Sequence, residues 1–511
     1  GSAKTAFLPL GILQRIEIIK GAASASWGSA LGGVVNIITK DTGKATRPTG
    51  TINASYGQAN SRDISADVAG QVGVLSYFLY GGDIDSDGLR LDRSSERQSI
   101  YSKMQLKLPY RSRLTLTGGY SEPSYRSLNW DDAWGIDGLN IYQEAEQPNL
   151  WGTIFFDSEL TSNLTLHLSG QHFDNDYTTT NRSLDSGMGG PQGSLIYAEE
   201  WKDESNSFTS WLSWTWSSFA TNLGFESSHS KLRYESKIGT LFGGPSVSKD
   251  DPVTENRHGV YLNTTYTRGK FSITPGLRYD YYENSGESVN PSLGLTYLLA
   301  PDTILRGSIA KGFSAPYLAA SIYYPDLKPE NTWTYQGGIE TTRIPFLRLK
   351  TTLFYQDIED GWNNNETVWT NINSRQLSGY EIEARTDSYH GISLTGNFSF
   401  VTADTTTDKT TIRKDDESYI GNLILSYRND EYGLRTEMAG HYYWMSDYVT
   451  NEQASCDDFL WDLLIAKDFV LSSLSGEIYL KGHNLFNGDQ YWDIDYPNPR
   501  RWIEAGISFR F

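Results

Sequence analysis

The chain has 511 residues, of which 38% are hydrophobic and 21% charged, and its formal net charge is −19. This acidic balance argues against a nucleic-acid partner, and no run approaches the roughly 18 consecutive apolar residues that a membrane-spanning helix needs. The single cysteine, Cys456, excludes an internal disulfide. The 33 Tyr, 15 Trp and 48 Gly residues are typical of a transmembrane β-barrel, in which alternate residues face lipid and aromatic side chains form a belt at each interface.

The first 40 residues contain two apolar segments around a turn of small residues. Residues 15–21 read RIEIIKG and residues 31–40 read LGGVVNIITK. Their β-branched runs predict two short strands, and the glycines beside them predict a tight turn. From Thr49 onward the pattern changes to a period of two residues. We therefore divide the chain into an N-terminal segment, residues 1–48, and a second region, residues 49–511.

The period of two continues to the C-terminus. Residues 164–169 (LTLHLS) place leucines on one face and Thr, His and Ser on the other, and residues 103–108 and 347–353 behave alike. A charge that faces lipid costs about 2–4 kcal/mol at the membrane midplane, so the charged side chains of the second face must point into a lumen. The pattern predicts an all-β fold, a transmembrane antiparallel β-barrel.

The predicted connections between strands alternate in length, as in outer-membrane barrels, where short periplasmic turns alternate with longer outer loops. Counting them predicts about 22 strands, the size class of plugged outer-membrane transporters. The short connections lie near residues 70–73, 110–113, 161–163, 217–220, 268–270, 300–303, 344–346, 388–391, 429–432 and 471–475. The long ones lie near residues 86–98, 126–148, 183–200, 238–254, 317–331, 406–414, 452–458 and 493–499.

Six stretches together resemble the TonB-dependent outer-membrane receptor family. Residues 15–40 resemble the end of the family's plug domain, and the alternating strand that ends on Phe511 resembles its terminal strand. The other four, in the family's order, are residues 310–316 (AKGFSAP), 325–330 (PDLKPE), 378–383 (SGYEIE) and 484–487 (NLFN). The resemblance implies that residues 1–48 are the C-terminal part of a plug domain, with most of the plug and the TonB box missing from this chain.

The resemblance also implies a function. We expect a receptor of the bacterial outer membrane that takes up a scarce nutrient actively, with TonB as its partner through the N-terminal part absent here. We expect a monomer that contacts outer-membrane lipid and lipopolysaccharide and binds a small iron-chelate or corrinoid ligand. A ferric siderophore is the first choice, and cobalamin (vitamin B12) is the alternative because the loops are short and acidic. A passive outer-membrane pore and an adhesin or phage receptor are the rival classes.

The long loop at residues 126–148 combines aromatic and acidic side chains. Aromatic rings beside carboxylates can stack on a flat ligand and hydrogen-bond to its rim. The alternative is that the aromatic side chains form an interface belt and that divalent cations bridge the acidic side chains among lipopolysaccharide molecules. We expect ligand contacts from Asn129, Trp130, Asp131, Asp132, Trp134, Asp137 and Tyr142, and from Tyr323 and Tyr324 in a second loop.

Charged residues of the N-terminal segment and the barrel form a second candidate set. The family resemblance implies that plug Arg and Glu side chains pair with charged groups on the lumen wall and lock the plug. A solvated lumen carboxylate is the alternative for any single Glu. The expected plug–barrel contacts are Arg15, Glu17, Glu340, Glu381 and Glu383.

Residues 83–88 (DIDSDG) have the spacing of the first half of a calcium loop, because hard cations prefer clustered carboxylate oxygens. Asp83, Asp85 and Asp87 are therefore candidate Ca²⁺ ligands in an outer loop. Position twelve is Ser94 instead of the bidentate Glu, so a solvated turn is the alternative. The seven His residues lack metal-ligand spacing, no catalytic constellation stands out, and we expect no enzymatic activity.

Overall fold

The computed structural model describes residues 8–89, 93–129, 140–186, 190–239, 246–320, 324, 326–364, 369–371, 374–407, 411–446, 458–471, 474–491 and 498–511. Within these ranges the chain is almost wholly β-strand, with one short 3-10 helix at Leu10–Ile12 and one four-residue helix, α1, at Ser24–Trp27. None of the helices in these ranges has the length and apolarity that crossing a membrane would require.

The described residues form 28 strands, of which the first two belong to the N-terminal segment. They are β1 Leu13–Lys20, β2 Gly33–Thr39, β3 Thr49–Gly57, β4 Arg62–Val72, β5 Leu75–Ser86, β6 Arg93–Leu108, β7 Ser112–Asn129, β8 Ile141–Glu146, β9 Asn149–Thr161, β10 Leu164–Ser183, β11 Leu195–Trp216, β12 Phe219–Ile238, β13 Ser246–Lys249 and β14 Val253–Arg268. The chain continues through β15 Phe271–Tyr282, β16 Gly286–Ala300, β17 Thr303–Ser314, β18 Glu330–Thr341, β19 Leu347–Glu359, β20 Trp362–Asn364, β21 Trp369–Asn371, β22 Ser374–Thr386, β23 Ile392–Thr407, β24 Thr411–Asn429, β25 Leu434–Met445, β26 Leu460–Leu471, β27 Leu474–His483 and β28 Trp502–Arg510.

All of these strands except β1, β2, β20 and β21 join one antiparallel sheet that closes on itself through the β28–β3 pairing. The closed barrel has 22 strands across its wall, as the sequence predicted, because two positions in the wall are each built from two segments. β8 and β9 pair with the same neighbours, β7 and β10, in one continuous register across residues 147–148. β13 likewise extends β14 along β12.

The predicted alternation of faces is confirmed. Lys103 points inward and its ammonium donates to the carbonyl oxygen of Lys40 in the lumen, at 3.1 Å. Lys350 also points inward, where it pairs with Glu383. Outward-facing apolar side chains such as Ile154 and Leu223 are exposed on the outer surface. Because this outer surface meets lipid rather than water, their exposure is the expected state of a barrel in a membrane.

Aromatic side chains form belts on the outward face near both ends of the barrel. Near the short turn after β11, Trp216, Phe219 and Tyr266 lie side by side, with ring centroids 6.4 and 4.8 Å apart. Near the opposite end, Tyr419 lies 5.0 Å from both Phe400 and Trp444. This arrangement is typical of the two membrane interfaces of an outer-membrane barrel.

The strands in one part of the barrel wall are much longer than those in the opposite part. The extra length lies at the end of the barrel that carries the long connections, which is the extracellular end. β10, β11 and β12 have 20, 22 and 20 residues, whereas β26, β27 and β28 have 12, 10 and 9. β10 continues beyond His172, where the outward face becomes polar, for roughly 36 Å at about 3.3 Å per residue. We call these extracellular parts the tall wall; it comprises residues 122–129, 141–146, 173–183, 195–205 and 229–238.

Strands that continue beyond the membrane explain where the predicted long connections were wrong. Most of residues 86–98 and 406–414 are strand, and the connections left between the strands are 87–92 and 408–410. Residues 238–254 contain β13. Strands above the membrane have water on their outer face, so they lose the apolar alternation that marks a lipid-facing strand.

Candidate functional site

The N-terminal segment crosses the lumen as a hairpin. β1 and β2 pair antiparallel from Leu13↔Thr39 to Lys20↔Gly33, as the sequence predicted for two strands around a small-residue turn. The open end of the hairpin packs on β5 and β6, where the fully buried Ile12 contacts Phe78, Tyr80 and Tyr101. We call residues 8–48 the plug segment, after the plug domain predicted for this part of the sequence.

Hydrogen bonds hold the same end of the plug segment to β4 and β6. The Lys40 ammonium pairs with Asp67 at 2.9 Å, and the Tyr101 hydroxyl donates to Thr39 Oγ1 at 3.1 Å. The backbone N–H of Lys40 donates to the Ile12 carbonyl at 2.8 Å. The hairpin therefore starts and ends on one wall of the barrel and projects across the lumen.

The turn of the hairpin, residues 21–32, docks on the opposite wall. Ser24 Oγ is buried and accepts hydrogen bonds from the backbone N–H groups of Ala30 and Phe313, at 3.2 and 3.1 Å. Gln336 and Gln356 donate their side-chain amides to the carbonyls of Lys20 and Leu31. Small residues are required because the turn backbone lies directly against the wall: a Cβ on Gly312 would lie 2.8 Å from the Ala22 Cβ.

A buried ion cluster lies beneath this docked turn. Arg278 has a side-chain exposure of 3% and donates from Nε to Asp280, which is equally buried, at 2.8 Å. Its Nη2 atom also donates to Glu226. A Cβ added to Gly28 of the plug turn would lie 3.1 Å from that same Nη2 atom. The guanidinium thus lies in the wall directly beneath the turn of the plug segment.

Of the charged residues expected to join plug and barrel, Glu381 contacts the plug segment, and its partner is Lys20, at 2.7 Å. Glu383 pairs with Lys350, and Glu340 pairs with Arg306 and Arg348, all on the barrel wall. This charged group borders a cavity of about 510 Å³. A further cavity of about 930 Å³ lies between β1 and the wall formed by β15–β19 and β22.

Arg15 and Glu17 pair with each other, at 2.7 Å, within the hairpin. Glu17 also accepts a hydrogen bond from the Asn36 amide across the hairpin, at 3.2 Å. The hydrogen bond from Arg15 is the main cause that holds the pKa of the Glu17 carboxyl below its ordinary value. Both side chains are about half exposed, so their pair stabilises the hairpin without reaching the barrel.

The loop residues predicted to contact ligand lie mostly outside the described residues. Tyr142 is described and lies on the outward face of β8, where the Arg126 guanidinium covers its ring at 4.6 Å. Tyr324 lies in a turn, where its carbonyl accepts from the N–H of Leu327. The side chains of Asn129, Trp130, Asp131, Asp132, Trp134, Asp137 and Tyr323 lie outside the described residues, and their ligand contacts stay a prediction.

The three carboxylates predicted to bind Ca²⁺ do not converge. Asp83 and Asp85 lie on the outward face of β5, where Arg62 lies 3.7 and 3.3 Å from them, and Asp87 accepts from the Asn60 amide. In the described parts of the chain, no group of three or more His, Cys, Asp or Glu side chains has a geometry that could hold a metal ion. Asp83 and Asp85 continue β5 instead of forming a loop, and calcium binding by the three carboxylates stays a prediction.

The sequence analysis missed an aromatic lining on the inward face of the tall wall. The Tyr125 and Tyr177 hydroxyls are 2.9 Å apart, and those of Tyr197 and Tyr234 are 2.7 Å apart. Trp201 packs on Tyr234 with a centroid distance of 4.2 Å. We call these five residues the aromatic lining. Extending the residue parity of Leu164 and Leu168 along β10 would have placed Tyr177 inward.

Comparisons with known proteins agree with this architecture. The family model described as "TonB dependent receptor-like, beta-barrel" matches residues 80–495. The vitamin B12 transporter BtuB of Vibrio vulnificus (strain CMCP6) is 23% identical, with 99% of this chain and 80% of that protein aligned. The ferric enterobactin receptor of Pseudomonas aeruginosa is 23% identical over 61% of this chain, and the match spans 48% of that receptor.

Solved structures show the same fold at lower identity. The copper transporter OprC has a TM-score of 0.81 and 13% identity, with 100% of this chain and 87% of that chain covered. The siderophore receptor PiuA from Acinetobacter baumannii has a TM-score of 0.79 and 15% identity, with 98% and 86% covered. These relatives are transporters and receptors, which supports a non-enzymatic role at the level of the family.

Proposed function

This chain is a member of the TonB-dependent receptor family, and from that premise we propose that it takes up a scarce nutrient actively, with a ferric siderophore as the first candidate ligand. The protein is a barrel of the bacterial outer membrane. Receptors of this family interact with TonB and bind small ligands such as siderophores or vitamin B12. TonB coupling would supply the energy that the outer membrane itself lacks.

The observation that carries the proposal is the position of the plug segment. It starts on the β4–β6 wall and docks on the β14–β19 wall, with side-chain and backbone hydrogen bonds at both ends. A ligand that passes through the lumen must therefore meet this segment. Such a block suits gated uptake of a bound ligand better than free diffusion.

A titration of intrinsic tryptophan fluorescence in detergent tests the proposal. The panel comprises ferric catecholate, ferric hydroxamate and ferric citrate-type chelates, cobalamin and haem. We expect tight, saturable quenching by one ferric chelate. The variants Trp130→Phe and Trp134→Phe should reduce that quenching if the loop at 126–148 contacts the ligand. No saturable response to any ferric chelate would contradict the siderophore proposal.

Cobalamin is the second candidate, because a vitamin B12 transporter aligns over 99% of this chain. Saturable quenching by cobalamin alone would favour it. A passive pore is the rival of a different class, and planar-bilayer conductance separates it from a gated receptor. We expect small, infrequent openings with the plug segment docked, whereas steady ohmic conductance would indicate a pore.

A further inference from the structure

The two cavities beside β1 share most of their charged lining. The shared residues are three cations and three carboxylates: Lys20, Arg306, Lys350, Glu340, Glu381 and Glu383. The smaller cavity, of about 510 Å³, is lined in addition by Arg348 and Arg385, which do not line the larger one. The charges therefore balance where the cavities overlap, and the smaller cavity has a surplus of two positive charges.

The two additional arginines lie at the periplasmic end of the lumen. Arg348 is the second residue of β19 and Arg385 is the last but one of β22, next to the short turns that close these strands. Strand pairing puts the two arginines directly opposite each other, with the inward parity of Glu383. Like charges that are directly opposite each other on paired strands repel. An anion between the two guanidinium groups would remove that repulsion. We call the smaller cavity the periplasmic cavity.

The carboxylates of the periplasmic cavity do not remove the repulsion, because all three already pair with cations. Glu340 takes two of these cations, since Arg306 and Arg348 lie 3.2 and 2.5 Å from it. Arg348 uses its Nε and Nη2 atoms for this pair and retains its Nη1 group for another acceptor. Arg385 forms no ion pair with any residue that the structure describes. Its guanidinium is therefore available to an anion.

A second pair of opposed arginines at the same end of the barrel is fully compensated. Arg428 and Arg435 are paired on β24 and β25 and have the inward parity. Each has its own carboxylate: Asp430 lies 2.6 Å from Arg428, and Glu477 lies 3.0 Å from Arg435. Opposed arginines in this barrel are thus neutralised by carboxylates of the chain where these are present. The pair in the periplasmic cavity differs because one of its members has none.

We propose that the periplasmic cavity binds a small ligand through an oxyanion, a carboxylate or phosphate group held between Arg348 and Arg385. The volume of the cavity lies within the range of about 300–1,000 Å³ that is typical of small-molecule sites. Guanidinium groups bind carboxylates and phosphates through two parallel hydrogen bonds. The site would hold a transported ligand before its release into the periplasm. That role rests on the proposed uptake function, and it favours chelates that carry free carboxylates.

The first experiment measures the charge of the cavity. Thr395, which lines the cavity opposite Arg385, is changed to Cys in a Cys456→Ser background. The rates at which anionic sulfonatoethyl and cationic trimethylammonioethyl methanethiosulfonate modify this thiol are compared in detergent. At about 0.15 M ionic strength, where the Debye length is about 8 Å, distant charges are screened. We expect the anionic-to-cationic rate ratio to fall roughly fivefold to tenfold in Arg348→Gln/Arg385→Gln.

Two controls accompany this measurement. Arg428→Gln/Arg435→Gln removes the same charge from the same end of the barrel and should change the ratio by less than about twofold. Arg348→Lys/Arg385→Lys keeps the charge and should keep the ratio, which separates charge from a loss of structure. A ratio that does not change in Arg348→Gln/Arg385→Gln overturns the proposal.

The second experiment measures binding at the same thiol. The uncharged reagent methyl methanethiosulfonate is used, so that protection reports occupancy of the cavity and not its field. Citrate, inorganic phosphate and ferric citrate are titrated against sodium chloride of equal ionic strength. We expect saturable protection of Thr395→Cys by citrate or phosphate beyond that of the chloride reference. Protection should be lost in Arg348→Gln/Arg385→Gln and kept in Arg428→Gln/Arg435→Gln.

The outcomes separate this inference from the proposed function. Protection by citrate and ferric citrate supports the site and assigns a carboxylate group, whereas protection by phosphate alone supports it and assigns a phosphate group. A lack of saturable protection by all three probes, or protection that persists without the two arginines, overturns the site. The tryptophan titration with chelates can still succeed in that case, so uptake does not fail with it. Protection without any response in that titration would keep the site and remove its role in transport.

Discussion

In addition to its packing on the β4–β6 wall, the plug segment meets the far wall of the barrel through two contacts of different kinds. The turn, residues 21–32, is held by buried hydrogen bonds above the Arg278 cluster, where a single added methyl group would collide with the backbone or with small side chains. The Lys20–Glu381 pair joins the same hairpin to the barrel through an ion pair whose lysine is 57% exposed. The turn contact fixes the position of the plug segment through close packing and buried hydrogen bonds. The ion pair adds little stability, because water can solvate the exposed lysine nearly as well as the carboxylate does. Displacing the hairpin from the far wall therefore depends on the turn.

The largest effect is expected from the cluster beneath the turn. Arg278→Met leaves the buried Asp280 carboxylate without its cation, and breaking a buried pair in this way costs about 3–5 kcal/mol. Urea unfolding followed by tryptophan fluorescence measures the loss. Arg62→Met, which removes a half-exposed outward pair, is the control and should change stability by less than about 1 kcal/mol. Equal effects of the two variants would show that burial does not govern the cluster.

The close fit of the turn gives the next prediction. In Gly312→Ala the new methyl group would lie 2.8 Å from the Ala22 Cβ and 3.2 Å from the Ala30 carbonyl oxygen, so the turn must move away. Overpacking of this kind costs about 1–3 kcal/mol. Hydrogen–deuterium exchange of peptides covering residues 21–32 should speed up. Gly307→Ala, on the same strand with no atom nearer than 3.8 Å, should leave the exchange unchanged.

A loss of hydrogen bonds at the turn is expected to have a smaller effect. Ser24→Ala removes the acceptor of the Ala30 and Phe313 N–H groups, and a buried unsatisfied donor costs about 1–3 kcal/mol. Because the change leaves the backbone in place, we expect the low end of that range. The same exchange experiment measures it, with Ser26→Ala, an exposed serine in the same short helix, as the control. Protection that survives in Ser24→Ala would mean that shape alone holds the turn.

The alternation of apolar and polar residues predicted the barrel, its strand number and the hairpin of the plug segment, because lipid imposes a period of two on every spanning strand. It did not predict the tall wall, where both faces of a strand are polar and the period carries no hydropathy signal. The side on which a residue falls depends on parity alone, so a one-residue change of phase moves it from lumen to outer surface. For that reason the sequence did not indicate that Asp83 and Tyr142 lie on the outward faces of β5 and β8.

The sequence predicted only part of the candidate site, for a related reason. Plug–barrel pairing requires knowing which lumen carboxylate lies opposite the hairpin, and that depends on how far the hairpin reaches across the lumen. Glu340, Glu381 and Glu383 all face inward, yet among the described residues only Glu381 forms an ion pair with a plug residue. In the membrane-spanning strands, the alternation indicates which face a residue takes, but it carries no information about distances across the lumen.

The Lys20–Glu381 ion pair is expected to be the weaker of the two contacts with the far wall. Glu381→Gln should change exchange of residues 13–20 by less than about twofold, since an exposed pair contributes about 0.2–1 kcal/mol. The reversed pair, Lys20→Glu with Glu381→Lys, should restore the small loss if the effect comes from charge attraction. A large loss in Glu381→Gln, comparable with that of Gly312→Ala, would make the ion pair a principal lock.

The smallest effect is expected within the hairpin, from the pH dependence of Glu17. Its pKa lies below the ordinary value of 4.5 in the folded protein, chiefly because Arg15 donates a hydrogen bond to the carboxylate. A lowered folded-state pKa stabilises the hairpin above the unfolded-state pKa, and that contribution is lost as the pH falls through the folded-state value. Glu17→Gln should therefore slightly increase exchange of residues 13–39 at neutral pH, after correction for the intrinsic rate, and make no difference at pH values below the folded-state pKa. Because the carboxylate is open to solvent, salt should weaken the neutral-pH difference, and a difference that persists at high salt would point to packing and not charge.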